Sequence, residues 1–492
     1  MTPTRSDGPP DTARQLALSA REAIDLIRSG GLTAEAYVRT LLAQAAAQAG
    51  LNAMIHVDEA GALAGARRID ADRAAGRALP PLAGLPVVVK DNIDVQGMPT
   101  TGGTPALRQA RPVASAPSVQ RLIEAGAIVL GKTNLHELAF GITSTNASPF
   151  AGPVRNPYDP GRIPGGSSGG TAAAIAARIA PCGLGTDTGG SVRVPAALTG
   201  TAGLRPSVGD GGTQRRYHDE GAVLPISHTR DTVGPMGRSV ADVALLDAVI
   251  TGTAPAVAAP LAGLRLGVPA SFWAGLDAGL AAVARAALSR LAAAGVTLVD
   301  ADLPGLAALN EKVSFPIALH EPIADIPAYL AASGIEGVTL AGIVAQVASP
   351  DVRGIMEAVV ADAFGAAYPE AMTVHRPAMQ ALYAAYFADH RLDAMVFPTT
   401  PLPAAPIDIE RGSGSVSIDG GEPLDTFGTF IRNTDPGSNA GLPGLSIPAG
   451  LTAGGLPVGI EIDGPLGSDA RLLSIGLAIE ALLGPVSGPP AG

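Results

Sequence analysis

Two glycine-rich segments, each carrying a serine, and one lysine at the end of an apolar run are the residues of this chain best suited to covalent chemistry. The segments are Gly165-Gly166-Ser167-Ser168-Gly169-Gly170 and Gly185-Thr186-Asp187-Thr188-Gly189-Gly190-Ser191; the lysine is Lys90, which closes Leu85-Pro86-Val87-Val88-Val89. Glycine lets backbone N–H groups face a ligand, and a helix start concentrates positive potential there. A serine beside such N–H groups suits acyl transfer, provided that a neighbour takes its proton. Lysine does so only when neutral, and its pKa in water is about 10.4. At the end of an apolar strand the charged form is disfavoured and the pKa falls. Of the 33 basic residues only Lys90, Lys132 and Lys312 are lysines. A lysine in an apolar strand stands out in such a chain, because it can lose a proton where arginine cannot.

Other readings of Gly165–Gly170 compete. A phosphate loop needs a lysine after its last glycine, where Thr171 stands. A nucleophile elbow needs G-x-S-x-G, which Gly165–Gly169 matches, but a strand should precede it and a late histidine follow. Here a proline-rich stretch, Pro149 to Pro164, precedes it, and the last histidine is His390. A plain structural turn and a joint site with Lys90 remain; two serine-bearing glycine turns that each enter a helix favour the joint site. Metal binding is poorly supported: His136-Glu137 begins H-E-x-x-H, but Phe140 occupies the second histidine's place. An S-x-x-K pair fails as well, since Val87, Val129 and Leu309 lie three before the lysines.

The positioning elements are legible in outline. Ser19-Ala20-Arg21-Glu22 reads as a capping box opening a helix that stops at Gly30-Gly31, and a second helix starts at Thr33. Leu85–Val89 is continuous and β-branched, so it reads as a strand buried on both faces; Ala127–Leu130 is another, after a helix over Ser118–Ala125. An alanine-rich helix follows Gly170, running to about Ile179. Residues near 270–390 read as mainly helical. Short buried strands alternating with helices argue for a layered α/β fold.

Together these residues resemble the amidase signature family. The two glycine-serine segments, continuing into Val192-Arg193, the Val89-Lys90-Asp91-Asn92 stretch, Lys132-Thr133-Asn134 and the serine spacing of 24 carry the likeness, which extends from about Ala20 to Leu483. Gly203-Leu204-Arg205-Pro206-Ser207-Val208, Pro225 to Pro235 and Asn433 to Asn439 look like the arylacetamide branch, with mandelamide and indoleacetamide hydrolases; urethane-cleaving amidases look similar. The resemblance implies a single large α/β fold, a mixed, mainly parallel sheet between layers of helices. It implies Ser191 as nucleophile, Ser167 as bridging serine and Lys90 as ultimate base, with a cis peptide between Gly166 and Ser167. Backbone N–H groups of Thr188, Gly189, Gly190 and Ser191 would form the oxyanion hole, and Asp187 and Arg193 would support the loop by charge pairing. Tyr217, His218 and Arg216 receive no role. The expected reaction is hydrolysis of small linear amides, aryl or arylalkyl, through an acyl-enzyme. Carbamate or anilide hydrolysis, a glutaminase-type A subunit of an amidotransferase complex and a non-enzymatic binding protein are the rivals.

Bulk properties bound the rest. The 492 residues are 47% hydrophobic with 62 Gly and 43 Pro, too apolar for disorder. A net charge of -11 disfavours nucleic acid. Met1 to Thr12 is polar and reads as no secretory signal; prolines interrupt the longest uncharged stretch, 436–460, so no membrane partner is expected. The lone Cys182 fits a reducing cytoplasm and reads as a small buried apolar residue. The expected layout is a flexible segment over 1–15, a catalytic domain over 16–484 and a flexible tail over 485–492. The domain would have its core at 80–250 and a pocket-shaping helical region at 300–395. A small-molecule amide is the expected partner, no cofactor or metal is expected, and a homodimer is compatible with the reading.

Overall fold

The computed structural model describes residues 10–490. Its strands are β1 (Met54–Val57), β2 (Pro86–Lys90), β3 (Ile128–Thr133), β4 (Cys182–Asp187), β5 (Ala202–Arg205), β6 (Thr232–Gly237), β7 (Arg265–Val268), β8 (Thr297–Asp300), β9 (Ala394–Pro398), β10 (Ser415–Val416), β11 (Leu424–Asp425), β12 (Gly444–Leu451) and β13 (Pro457–Asp463). Eleven form one sheet in the order β1-β3-β2-β4-β6-β5-β12-β13-β9-β7-β8; β10 and β11 make a separate hairpin. The sheet is mixed, as expected, but the expected parallel majority is corrected. Four neighbour pairs are parallel and six antiparallel. The reversals are concentrated in the centre, where the chain returns by loops and by the tight β12–β13 hairpin, which needs no crossover helix.

Strand β2 shows why the sheet carries helices on both sides. Val88 packs with the N-terminal helices Ala20–Ser29, Ala34–Ala47 and Glu59–Ala74, whereas Val87 and Val89 pack with Pro117–Glu124 and Val240–Thr251. Alternate residues of a strand face opposite sides, so a run of valines feeds two cores at once. The Ser19/Glu22 capping box is formed, and the Ala20–Ser29 helix ends at Gly30 in the left-handed conformation. Helix Gly169–Ala176 has every residue buried, as its lack of any polar face requires.

Where the segment over 1–15 was expected to be flexible, a helix, Thr12–Ala17, begins, its first turn capped by the Asp11 side chain. Residues 1–9 lie outside the described residues. In the expected tail, Tyr158 donates its hydroxyl hydrogen to the Ser487 carbonyl at 2.7 Å; residues 491 and 492 lie outside the described residues. Region 270–390 is mainly helical, with β8 set into it. No described helix is long and apolar enough to cross a membrane.

Candidate active site

Lys90 is the last residue of β2 and is fully buried. Parallel pairing with β4 sets Val89 beside Leu184, which brings the next residues of both strands to the same end of the sheet. There the Lys90 Nζ lies 2.8 Å from Ser167 Oγ and 2.7 Å from Thr186 Oγ1. Burial pushes Lys90 down to about 7, against the opposing pull of the Asp187 and Asp231 carboxylates. Loss of hydration penalises the ammonium form more than two neighbouring hydroxyls and distant carboxylates stabilise it. Lys132 is also fully buried but has a different setting: it donates to the Pro99 carbonyl at 2.8 Å and faces Asp91 at 3.2 Å. Lys312 is exposed.

Ser167 and Ser168 lead into the Gly169–Ala176 helix, and the Gly166–Ser167 peptide is cis. Ser191 lies two residues before the Arg193–Thr199 helix, at the end of the turn that leaves β4. The two turns are tied at the backbone, since the Ser168 N–H donates to the Ser191 carbonyl at 3.1 Å. The Ser168 hydroxyl adds a second tie to β4, donating to the Thr186 carbonyl at 3.1 Å.

Of the four N–H groups expected to form an oxyanion hole, that of Gly190 is engaged: it donates to Asp187 Oδ1 at 2.9 Å. Those of Thr188, Gly189 and Ser191 have no acceptor among the described residues. The Gly190 amide therefore holds the loop, and its three neighbours are the ones left to face an anion.

Asp187 and Arg193 pair at 3.0 Å with both side chains fully buried, so neither is a surface charge. Arg193 donates to both carboxylate oxygens of Asp187, to Glu461 Oε1 at 2.5 Å and to Ser438 Oγ at 2.6 Å. Arg205 adds a bond to the Asp187 carbonyl at 2.6 Å. Burial works to raise the Asp187 pKa, but Arg193 and Arg205 outweigh it and hold the carboxyl well below the usual range. This carboxylate then fixes three successive pieces of the turn: the Gly190 N–H, the Val192 N–H and Arg193.

Ser191 opens onto a cavity walled by Phe140, Ile142, Ile226, Phe315, Leu319 and Phe427, with Arg230 and Asp435 as its charged pair. The expected pocket-shaping region supplies Phe315 and Leu319; Phe427 comes from beyond it. Phe315 and Phe427 stack across the cavity with ring centroids 6.2 Å apart at 22°. Arg230 donates to the Thr188 carbonyl at 3.2 Å and pairs with Asp435, whose other oxygen accepts from Asn310 at 2.9 Å. His136 and Glu137 have structural work. The His136 Nδ1 accepts from the Ser144 N–H at 3.1 Å, and Glu137 accepts from the Ser349 N–H at 2.8 Å. Arg216 and Tyr217 both bind Asp247, and His218 is exposed.

Several residues that shape the site received no role from the sequence. Thr186, Arg205, Arg230, Asp231, Thr434 and Asp435 all lie inside stretches that carry the family likeness. Their membership of those stretches was the available signal; their function depends on contacts between segments up to 245 positions apart, as between Thr434 and Gly189.

Comparison with known proteins gives a consistent result. A family model described as "Amidase" matches residues 36–473. The chain is 42% identical to a mandelamide hydrolase of Pseudomonas putida, over 95% of this chain and 92% of that protein. It is 43% identical to an indoleacetamide hydrolase of Agrobacterium vitis, over 94% and 96%. Among solved structures it resembles the native peptide amidase of Stenotrophomonas maltophilia, with a TM-score of 0.80 and 31% identity, covering 96% of this chain and 98% of that one.

Proposed function

Because this chain belongs to the amidase signature family and its activity is hydrolysis of amide C–N bonds, we propose that it works through a Ser191–Ser167–Lys90 proton relay on small aryl or arylalkyl amides. The observation that carries this reading is the contact between a fully buried Lys90 Nζ and Ser167 Oγ at 2.8 Å. A lysine with its pKa near 7 is neutral often enough at physiological pH to accept a proton.

In the acylation step the Ser191 oxygen attacks the amide carbon and its proton passes to Ser167, which gives its own to the Lys90 amine. The carbonyl oxygen becomes an anion, received by the N–H groups of Thr188, Gly189 and Ser191. When the tetrahedral intermediate collapses, the C–N bond breaks and the relay runs backwards, delivering the proton to the leaving amine. Water then repeats the sequence on the acyl-enzyme, releasing the carboxylate and restoring Ser191. Each oxyanion donor of this kind typically contributes about 2.7–4 kcal/mol to the transition state.

The substrate class rests on the relatives' names and on the cavity. Its walls are predominantly aromatic and aliphatic, and its Arg230 and Asp435 charges are already paired with each other. A zwitterionic substrate such as glutamine would find no free charge there among the described residues, whereas a flat apolar acyl group would be well received.

The test is turnover of a panel: phenylacetamide, an acylated aniline, a small urethane and glutamine. Phenylacetamide should be hydrolysed fastest, and Ser191→Ala should abolish both turnover and fluorophosphonate labelling. Preference for the urethane or the anilide would overturn the substrate class, glutamine preference would point to the amidotransferase type, and full labelling of Ser191→Ala would remove the nucleophile.

A further inference from the structure

A second cavity lies behind the reaction site, between residues 215–233 and the Pro322–Ala332 helix. Two tyrosines line it, and each spends its hydroxyl elsewhere. Tyr217 donates to Asp247 at 2.8 Å and Tyr329 to Asp94 at 2.7 Å. What they offer the cavity is ring surface, to which Val223, Pro225 and Ala328 add apolar walls.

The charges around this space are unbalanced. Asp219, Glu220, Asp231 and Asp325 border it, against Arg215 and His228. Arg215 is paired with Glu220 at 2.9 Å and His228 with Asp325 at 3.0 Å. Asp219 and Asp231 are satisfied only by neutral donors: Ser118 for the first, and Thr188 with the Ile226 and Ser227 N–H groups for the second. Burial raises the pKa of both carboxyls, a cost that a nearby cation would relieve. Aromatic faces with excess carboxylate suit an organic ammonium ion, which gains from the ring quadrupoles and from the negative potential together.

The segment that separates the two cavities has two faces. Val223 and Pro225 look into the second cavity. Their alternates serve the reaction site: the Leu224 carbonyl accepts from Asn92, two residues after Lys90, and Ile226 lines the Ser191 cavity. Extended backbone alternates its sides in this way. Asp231 repeats the arrangement, bordering the second cavity while accepting from the Thr188 hydroxyl at 2.6 Å.

We propose that the second cavity binds a small arylalkyl ammonium ion, and that its occupation steadies the 222–231 segment and raises turnover. The test begins with titration calorimetry of phenethylammonium against enzyme whose Ser191 has been blocked by a fluorophosphonate, so that the reaction cavity is filled. Saturable one-to-one binding is expected, with phenethyl alcohol and phenylacetate weaker by about tenfold or more, the scale of one desolvated cation–π contact. Ala328→Trp, which fills the cavity from its rim, should abolish binding and leave basal turnover unchanged. Asp219→Asn should weaken the ammonium and leave the alcohol unaffected. In unblocked enzyme phenethylammonium should raise kcat, and Ala328→Trp should lose that response. Absence of binding to blocked enzyme, equal binding of the alcohol, or undiminished binding by Ala328→Trp would overturn the site; binding with no change in kcat would overturn the coupling. Binding is read without any substrate, so a wrong substrate class leaves this test intact.

Discussion

The Thr186 hydroxyl bridges Lys90 and Asn92, lying 2.7 Å from the lysine Nζ and 3.1 Å from the asparagine Nδ2. Asn92 can only donate through that nitrogen, so Thr186 Oγ1 accepts from it and retains one further lone pair and one hydrogen for the lysine. The lone pair stabilises an ammonium and the hydrogen serves a neutral amine. Thr186 thereby accommodates both states through which a proton-relaying lysine must pass.

Thr186→Val keeps the shape and removes both options. An ammonium that loses an acceptor is less stable, so the Lys90 pKa should fall further below its wild-type value. The rising limb of the pH–rate profile should move to lower pH, while the plateau drops because the amine is less well held. A plateau loss of about tenfold is expected for one charge-assisted bond. The check is kcat/KM across pH on one amide; an unmoved limb would separate Thr186 from the lysine's titration.

Lys90 itself should impose the wild-type limb. With its pKa brought down to about 7, the neutral fraction rises with pH through neutrality. Below that point kcat/KM should climb by about tenfold per pH unit and then level off. Lys90→Met should lose about 10²–10⁴-fold, the usual contribution of a general base, and Lys90→Arg should fare no better because arginine stays charged. Stopped-flow rates in the chemistry-limited regime decide the matter; a flat profile would remove the lysine from the relay.

How far the sequence could show this site depends on the range of each contact. Lys90 was legible because an isolated lysine after Val87-Val88-Val89 conflicts with simple burial, and the two serines because glycine turns precede helices. Strand β4 was hidden: Gly185-Thr186-Asp187 reads as the opening of a glycine-rich turn, yet these residues end β4, and glycine at 183 is what lets that strand lie close to Val88 of β2. The direction of the central strands was likewise hidden, since composition does not distinguish a buried antiparallel strand from a parallel one. Arg230 and Asp435 meet across 205 positions, and only the folded sheet brings them together beside Thr188.

Gly190 should tolerate no side chain. Its φ is +137°, which residues with a Cβ rarely adopt, and an added Cβ would fall 2.2 Å from Thr434 Oγ1. Thr434 cannot withdraw freely, because its hydroxyl donates to the Gly189 carbonyl at 2.6 Å. Gly190→Ala should therefore displace the loop whose other N–H groups we assign to the anion and lower kcat by about 10²–10³-fold. Fluorophosphonate labelling should slow in parallel with kcat. Labelling at the wild-type rate would place the damage outside the acylation step.

The cluster behind the loop carries an odd count of charges. Arg193 and Arg205 face Asp187, Glu461 and Asp463, all five buried. Two cations and three carboxyls are neutral only if the Glu461–Asp463 pair keeps one proton. Burial raises both carboxyls, Asp463 to about 6 and Glu461 well above its ordinary range. The sign follows directly: the folded protein holds protons that the unfolded chain releases. The stability tied to them is present below the unfolded value of 3.8 and is lost as pH rises through about 6. Asp463→Asn keeps the shape and removes one of the two raised carboxyls, leaving the two cations opposite Asp187 and Glu461 alone. Its melting temperature should fall less than that of wild type between pH 4 and pH 7, and its activity should survive, because Asp187 and Arg193 are untouched. Chemical denaturation at a series of pH values gives the same comparison independently. An Asp463→Asn protein with the wild-type pH slope would show that the pair shares no proton.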